Sequence, residues 1–210
     1  SLSSGAKAAH FAMMRKIKFK ILQTLIIASL AGCTHTQIQK DGFSYTTRQA
    51  QLEAIGNWEM DGRITVDTGE RAFQGRFQWH QFEDVIELSI RGPFGANILQ
   101  MTGSSEQLIV HAQGETWQLL DPEPELSALL GWWIPVKSLR TWLLGYSDPE
   151  FSATEEFGAG PALRTLEQRL WLLTYDSYQL FEDIMVPRRI DLSHNNLELR
   201  VIVDKWSPLS

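Results

Sequence analysis

Cys33 is the residue whose side chain and sequence context point most directly to chemistry. It is the only cysteine among 210 residues, and it ends the tetrapeptide Leu30-Ala31-Gly32-Cys33. A basic stretch at residues 15–20 comes first, and a mostly apolar run over residues 21–30 follows it. A secretory signal has this order of basic, apolar and then small residues. The apolar run is shorter than the roughly 20 residues that cross a bilayer. A lone cysteine is otherwise a small buried hydrophobe, which suits a folded segment rather than the end of such a leader.

The Leu-Ala-Gly-Cys ending resembles a bacterial lipobox, in which the cysteine thiol receives a lipid and the chain is cut directly before it. We therefore predict that residues 1–32 are an upstream extension plus a lipoprotein signal peptide, with Met13 or Met14 as the start. Cys33 would then be the lipidated first residue of the mature protein. The polar residues 33–47 are predicted to be a flexible tether, and residues 48–210 a single folded domain.

The charge of the predicted mature protein, residues 33–210, limits which kinds of partner it can bind. It has 178 residues, with 14 basic and 25 acidic side chains, a formal charge of −11. This charge argues against nucleic-acid binding. It also predicts repulsion from anionic lipid, so that membrane contact would be hydrophobic. With Cys33 lipidated no disulfide can form, and the core alone must hold the domain together.

Signals for catalysis are scarce. The sequence has no Gly-x-Ser-x-Gly, His-Glu-x-x-His, P-loop or Rossmann glycine pattern. His80, His111 and His194 are isolated in sequence, and His80 falls on the polar face of its strand, where a solvated side chain is expected. We predict no catalytic residue, no metal site and no cofactor, and hence a protein that is not an enzyme.

Alternation of apolar and polar residues dominates the chain after the tether and predicts antiparallel strands with one wet face. In one strand Phe73, Phe77 and Trp79 share a face opposite polar residues. Turns are predicted at residues 83–84 and 195–196. The expected strands lie near residues 58–66, 73–80, 86–90, 98–102, 107–112, 115–120, 169–178, 188–193 and 197–204, the last three after Pro161. With nine to eleven strands, the fold class is mainly β, a barrel or a sandwich.

Three short helices interrupt or precede these strands. One is predicted over residues 48–55, one from Asp121-Pro122 to Gly131, and one from Pro135 to Gly145. Asp121, Glu123 and Glu125 are interpreted as a charged helix N-terminus rather than a catalytic carboxylate cluster. The aromatic residues Trp132, Trp133 and Trp142 are either core residues or the lining of a cavity for an apolar ligand, and spacing alone leaves both open.

The segment Arg91-Gly-Pro-Phe-Gly95 is predicted to be a hairpin tip, because Gly-Pro and Phe-Gly mark turns. Two interpretations of its aromatic residue stay open. Phe94 folds back onto the core, or it is an exposed apolar finger for contact with a membrane or a partner.

Four segments together resemble the LolB family of outer-membrane lipoprotein receptors, over essentially the whole mature chain. They are residues 30–33, residues 90–95 (Ile-Arg-Gly-Pro-Phe-Gly), residues 134–145 (Ile-Pro-Val-Lys-Ser-Leu-Arg-Thr-Trp-Leu-Leu-Gly), and residues 185–192 with a C-terminal strand ending in Trp206. The stretch 134–145 is the most specific.

The resemblance implies an incomplete antiparallel β-barrel with a helical lid over a hydrophobic cavity. It implies a lipid-anchored, monomeric outer-membrane receptor facing the periplasm, which takes lipoproteins from a LolA-like carrier and inserts them into the inner leaflet. It also implies that Pro93, Phe94 and Gly95 form the membrane-insertion loop, with Phe94 where the family commonly has leucine. Thr34 stands where a retention signal would have aspartate.

The strand and helix faces predict which residues hold the acyl chains: Phe77, Trp79, Leu88, Ile90, Leu139, Trp142 and Leu143. Two rival functions remain. A non-catalytic scaffold lipoprotein of an outer-membrane assembly would have a solid core and bind no acyl chain. An enzyme acting on lipid or cell wall would need a nucleophile or paired carboxylates in the cavity.

Overall fold

Eleven β-strands and three α-helices follow one another along the chain in the computed structural model, which describes residues 44–158, 160–181 and 183–209. Cys33, the predicted leader and most of the predicted tether lie outside the described residues. The helices are α1 (Tyr45–Glu53), α2 (Pro122–Leu130) and α3 (Val136–Leu144). The strands are β1 (Asn57–Asp67), β2 (Ala72–Phe82), β3 (Val85–Arg91), β4 (Asn97–Gly103), β5 (Leu108–Ala112), β6 (Glu115–Leu119), β7 (Ala153–Phe157), β8 (Leu163–Gln168), β9 (Trp171–Phe181), β10 (Ile184–His194) and β11 (Leu197–Pro208).

All eleven strands form one antiparallel sheet in the order β6-β5-β4-β3-β2-β1-β11-β10-β9-β8-β7. The last strand lies beside the first, with Trp58 opposite Pro208 and Val66 opposite Leu199. In the described part of the chain no ladder joins β6 to β7, so the sheet stays open. The predicted mainly β fold, an incomplete barrel with helices, is confirmed.

The alternation read from the sequence sorts the two faces of the sheet correctly. On β2, Phe77 and Trp79 are buried while Arg76 and Gln78 are exposed. The predicted turns also form, and Glu83 and Asn195 have φ of 53° in both cases. The buried face carries the hydrophobic core of one compact unit, Gly42–Ser210, and a unit with its own core is expected to fold without other parts of the chain.

The start of the first helix and two of the strands differ from the predictions. The first helix begins at Tyr45 rather than Arg48, because the Tyr45 ring packs edge-on against Phe157 at 5.0 Å and its hydroxyl donates to Glu155. Strands β7 and β8 were not among the predicted strands, which after Pro161 begin at residue 169. β7 is an edge strand with neither face fully buried, so its sequence lacks alternation, and charged residues are typical of such edges.

The start of α2 is also built differently from the prediction. Asp121 occupies the N-cap, but its side chain makes no capping hydrogen bond. Instead the Glu125 carboxylate accepts from the backbone N–H groups of Leu120 and Asp121, at 3.2 and 3.0 Å. A carboxylate that reaches back to the N-cap satisfies backbone donors as a capping box does.

Arg48 is the least expected part of the core. Its side chain is fully buried and donates to the carbonyls of Leu144, Gly145 and Met185 at 2.5, 2.8 and 2.8 Å. Leu144 and Gly145 end α3, where the carbonyls carry the negative end of the helix dipole. Arg48 therefore joins α1 to the end of α3 and to β10.

All four tyrosines of the chain have raised pKa values, which predicts how the fold responds to alkali. Burial is the main cause, and it raises the pKa of Tyr45 and of Tyr146 to about 12. Protonated tyrosine is thus favoured in the folded state. This stabilisation is complete below the ordinary pKa of 10.0 and is lost as the pH rises through about 12. We expect tyrosinate absorbance and loss of circular dichroism to rise together, whereas titration near pH 10 in a folded domain would contradict the prediction.

Candidate functional site

An apolar cavity of about 300 Å³ lies between the inner face of the sheet and helices α2 and α3. Of the 24 residues on its wall, 23 are apolar and one, Gln113, is polar. All seven residues predicted from strand and helix faces lie on this wall: Phe77, Trp79, Leu88, Ile90, Leu139, Trp142 and Leu143. The volume is at the lower end of the roughly 300–1,000 Å³ that is usual for ligand pockets.

Several wall residues were not predicted. The C-terminal strands contribute Leu192, Leu197, Leu199 and Val201 to the wall, in addition to the residues from β1 to β4. The alternation within residues 197–203 marked an apolar face, but the sequence could not show that β11 pairs with β1. Because β1–β4 and β9–β11 contribute to one wall, the sheet must curve around the cavity.

The three tryptophans near the helices have different environments. Trp132 and Trp142 both lie on the cavity wall, and Trp142 is also fully buried. Trp133 does not line the cavity. Its backbone carbonyl accepts from the Trp171 indole at 3.1 Å, and its ring lies 5.4 Å from the Arg169 guanidinium.

A buried ion pair fixes α2 over the sheet. The Arg169 guanidinium donates to both carboxylate oxygens of Glu123, at 2.8 and 2.5 Å, and each side chain is only 10% exposed. Glu123 also accepts from the backbone N–H of Lys137 at the start of α3, at 3.0 Å. The guanidinium stacks over the Phe151 ring at 4.0 Å, an arrangement that stabilises a partly desolvated cation. Glu123 is therefore a structural group that ties both helices to the β8–β9 turn.

Gln168 forms a second polar contact with α3. Its side-chain oxygen accepts from the Trp142 indole and the Asp148 backbone N–H, at 2.8 and 2.9 Å. Its amide nitrogen donates to the carbonyls of Asp148 and Phe151, at 2.9 and 2.8 Å. A buried amide with every group bonded fixes the orientation of its neighbours. These polar contacts hold α2 and α3 in place, while the cavity between the helices and the sheet is lined by apolar residues.

The loop between β3 and β4 projects Phe94 into solvent. Its side chain has a relative exposure of 107%, the largest among the exposed large hydrophobic residues. The hydrogen bonds from Gly92 N–H to Ala96 O and from Gly95 N–H to Gly92 O close this loop, and Phe94 has φ 65°. A bulky residue at positive φ is unusual, and neither burial nor backbone preference explains an aromatic there. Of the two interpretations left open by the sequence, the exposed finger matches the geometry.

The histidines have ordinary surroundings. His194 contacts the Leu170 carbonyl at 2.9 Å and stacks on Trp171, and His111 contacts the Thr116 hydroxyl at 2.7 Å. His80 lies 3.9 and 3.8 Å from the carboxylates of Glu59 and Glu87. Among the residues that the structure describes, no group of three or more His, Cys, Asp or Glu side chains could hold a metal ion. In the same part of the chain no helix is long and apolar enough to cross a membrane.

Comparison with known sequences gives a consistent result. The family model described as outer membrane lipoprotein LolB matches residues 56–206. The outer-membrane lipoprotein LolB of Nitrosococcus oceani is 30% identical over 195 residues, which cover 89% of this chain and 94% of that protein. The proteins of the same name from Francisella tularensis and Pseudomonas fluorescens are each 26% identical, over 91% and 87% of this chain and 95% and 92% of theirs.

Solved structures match in fold alone. A LolA-superfamily protein from Nitrosomonas europaea superposes with a TM-score of 0.51 at 7% sequence identity, over 80% of this chain and 95% of that one. A DUF1329-family protein from Desulfovibrio piger gives a TM-score of 0.55 at 8% identity, over 79% and 92%.

Proposed function

The chain belongs to the LolB family of outer-membrane lipoproteins, and we propose that it is a receptor that accepts lipoproteins from a LolA-like periplasmic carrier. Membership supports the broader role, lipoprotein localisation at the outer membrane. The apolar cavity under α2 and α3 is the observation that carries the finer proposal, that the receptor holds the acyl chains of the lipoprotein there.

The chemistry of the cargo explains why an apolar cavity suits this function. Each buried CH₂ group of an acyl chain contributes about 0.8 kcal/mol, so free passage through water would be prohibitively slow. A wall with a single polar residue shields such chains without forming specific bonds that would have to be broken at release. Neither a catalytic residue nor a nucleotide is needed for this transfer.

The direction of transfer follows from relative affinities. Cargo moves from the carrier to this protein if the cavity binds acyl chains more tightly than the carrier does. It moves on to the inner leaflet of the outer membrane if the bilayer binds them more tightly still. In this proposal the protein is a monomer held at the membrane by lipid on Cys33.

Leu139 offers a direct test of the cavity. It is half-buried on the lid helix α3 and lines the cavity. Leu139→Gln keeps good helix propensity but places an amide against the acyl chain. Burying this amide without a hydrogen-bond partner costs about 1–3 kcal/mol of binding free energy. We expect affinity for a fluorescent fatty-acyl probe, followed by quenching of the cavity tryptophans, to fall roughly 10- to 100-fold.

Lys137→Gln is the matched control, on the same helix but exposed and paired with Glu106 at 3.0 Å. It should bind the probe like the unchanged protein. If both variants bind equally well, or if the unchanged protein binds no probe, the cavity does not hold acyl chains and the scaffold function is favoured instead.

A further inference from the structure

Three arginines form a row across the outer face of the sheet. Arg63 on β1 lies directly opposite Arg76 on β2, and Arg76 lies directly opposite Arg91 on β3. Opposed residues of antiparallel strands project from the same face of a sheet, and all three side chains are exposed. Like charges at directly opposed positions destabilise a sheet, so an anion bound beside the row would stabilise it.

Among the described residues, the protein supplies such an anion at one end of the row. Arg63 makes two hydrogen bonds to the Asp204 carboxylate, at 2.9 and 2.8 Å. Across the described ranges, no carboxylate oxygen lies within 4.0 Å of Arg76 or Arg91. Within the part of the chain that the structure describes, the opposed Arg76 and Arg91 therefore have no carboxylate partner.

A groove of about 810 Å³ places these two arginines beside the exposed loop. Its wall includes the arginine row and the segment Pro93–Gly95 with Phe94. Four arginines and two aspartates line it, the fourth arginine being Arg200, which pairs with Asp191. The groove is thus basic in a protein whose predicted mature part carries a formal charge of −11.

We propose that Arg76 and Arg91 bind the phosphate groups of phospholipid headgroups at the membrane surface into which Phe94 inserts. The proposal rests on the proposed function in that it takes delivery to occur at the membrane, and it adds the exposed Phe94 loop as the membrane contact. Guanidinium groups bind phosphate through paired hydrogen bonds. A membrane site that combines a modest apolar insertion with basic residues binds more stably than the apolar contact alone. The two arginines would also fix the orientation of the sheet over the bilayer while the cargo leaves.

The test measures binding of residues 34–210, which contain the whole compact unit, to vesicles of equimolar phosphatidylethanolamine and phosphatidylglycerol. The variant is Arg76→Gln with Arg91→Gln. The control is Arg164→Gln with Arg188→Gln, which removes the same two charges from exposed positions on β8 and β10. Circular dichroism and acceptance of a fatty-acyl probe are measured on both.

Each basic residue near an anionic surface changes binding by roughly fivefold. We therefore expect the Arg76/Arg91 variant to bind vesicles roughly 20-fold more weakly, with a reduced dependence on salt, and the control to lose less than about threefold. If both variants lose vesicle binding equally, or if neither loses it, then Arg76 and Arg91 are not a phosphate-binding site. Because probe acceptance is measured separately and should be normal in both variants, failure of this site is distinguishable from failure of the receptor function.

Discussion

Replacing Phe94 by glutamate is expected to block membrane delivery while leaving acceptance of cargo intact. Burial of a phenylalanine side chain contributes about 1.5–3 kcal/mol, and a carboxylate at the same tip opposes insertion. Because Phe94 is fully exposed and makes no contribution to the core, Phe94→Glu should fold normally. We expect the rate of lipoprotein insertion into vesicles to fall about 100-fold, measured with cargo already bound to the receptor.

Two matched variants separate the finger from a general effect of surface charge. Phe94→Leu keeps an apolar tip and should retain most of the activity. Leu120→Glu introduces the same charge at another exposed apolar residue, which is 70% exposed and follows β6 at the end of the sheet opposite to the loop, and it should leave insertion unchanged. Normal insertion by Phe94→Glu would show that the loop is not the membrane contact.

Replacing Arg48 by methionine is expected to cause the largest loss of stability. Methionine fills much of the volume, but the carbonyls of Leu144, Gly145 and Met185 lose their donor. Each buried acceptor left without a partner costs about 1–3 kcal/mol. Burial lowers the pKa of Arg48, yet arginine remains charged at neutral pH. Because a buried charge carries a desolvation penalty, removing it offsets part of the lost stability. We expect the free energy of unfolding to fall by about 3–5 kcal/mol.

Urea unfolding at an unchanged m-value measures this loss. Arg164→Met, at an exposed position on β8, is the control and should change stability by less than about 0.5 kcal/mol. A loss below about 1 kcal/mol in Arg48→Met would mean that water or a shifted helix end satisfies the three carbonyls.

Local pattern was enough to predict much of this fold because the inner face of the sheet is apolar and the outer face polar. The same alternation identified Phe77, Trp79, Leu88 and Ile90 as wall residues, and helical spacing identified the lid face of α3. The part of the cavity wall that β11 contributes depends on the pairing of β11 with β1. This pairing is a contact between the two ends of the domain. Local periodicity carries no information about such a pairing.

Other features escaped prediction because their sequence signal contradicts their environment. Arg48 is charged and was predicted only as the first residue of a helix and of the domain, yet three carbonyls from distant segments make its burial possible. Strand β7 has consecutive glutamates because it is an edge strand. Phe94 could be assigned to neither core nor surface until the loop geometry was known.

Net charge was informative about the whole chain but not about one face of it. A formal charge of −11 for the predicted mature part predicts repulsion from anionic lipid. The arginines of the row are separated in sequence by 13 and 15 residues, and only the register of β1, β2 and β3 brings them together. Such a site depends on strand pairing rather than on a basic run.

The step that defines the proposed function is transfer of lipoprotein cargo from a carrier into the cavity of this protein without an energy source. The most direct measurement mixes residues 34–210 with a LolA-like carrier loaded with a lipoprotein, in the absence of nucleotide. Affinity capture then shows which protein holds the cargo. We expect the lipoprotein to be recovered on this protein, and less of it on the Leu139→Gln variant. Cargo that remains on a competent carrier, while circular dichroism shows this domain to be folded, would contradict the account.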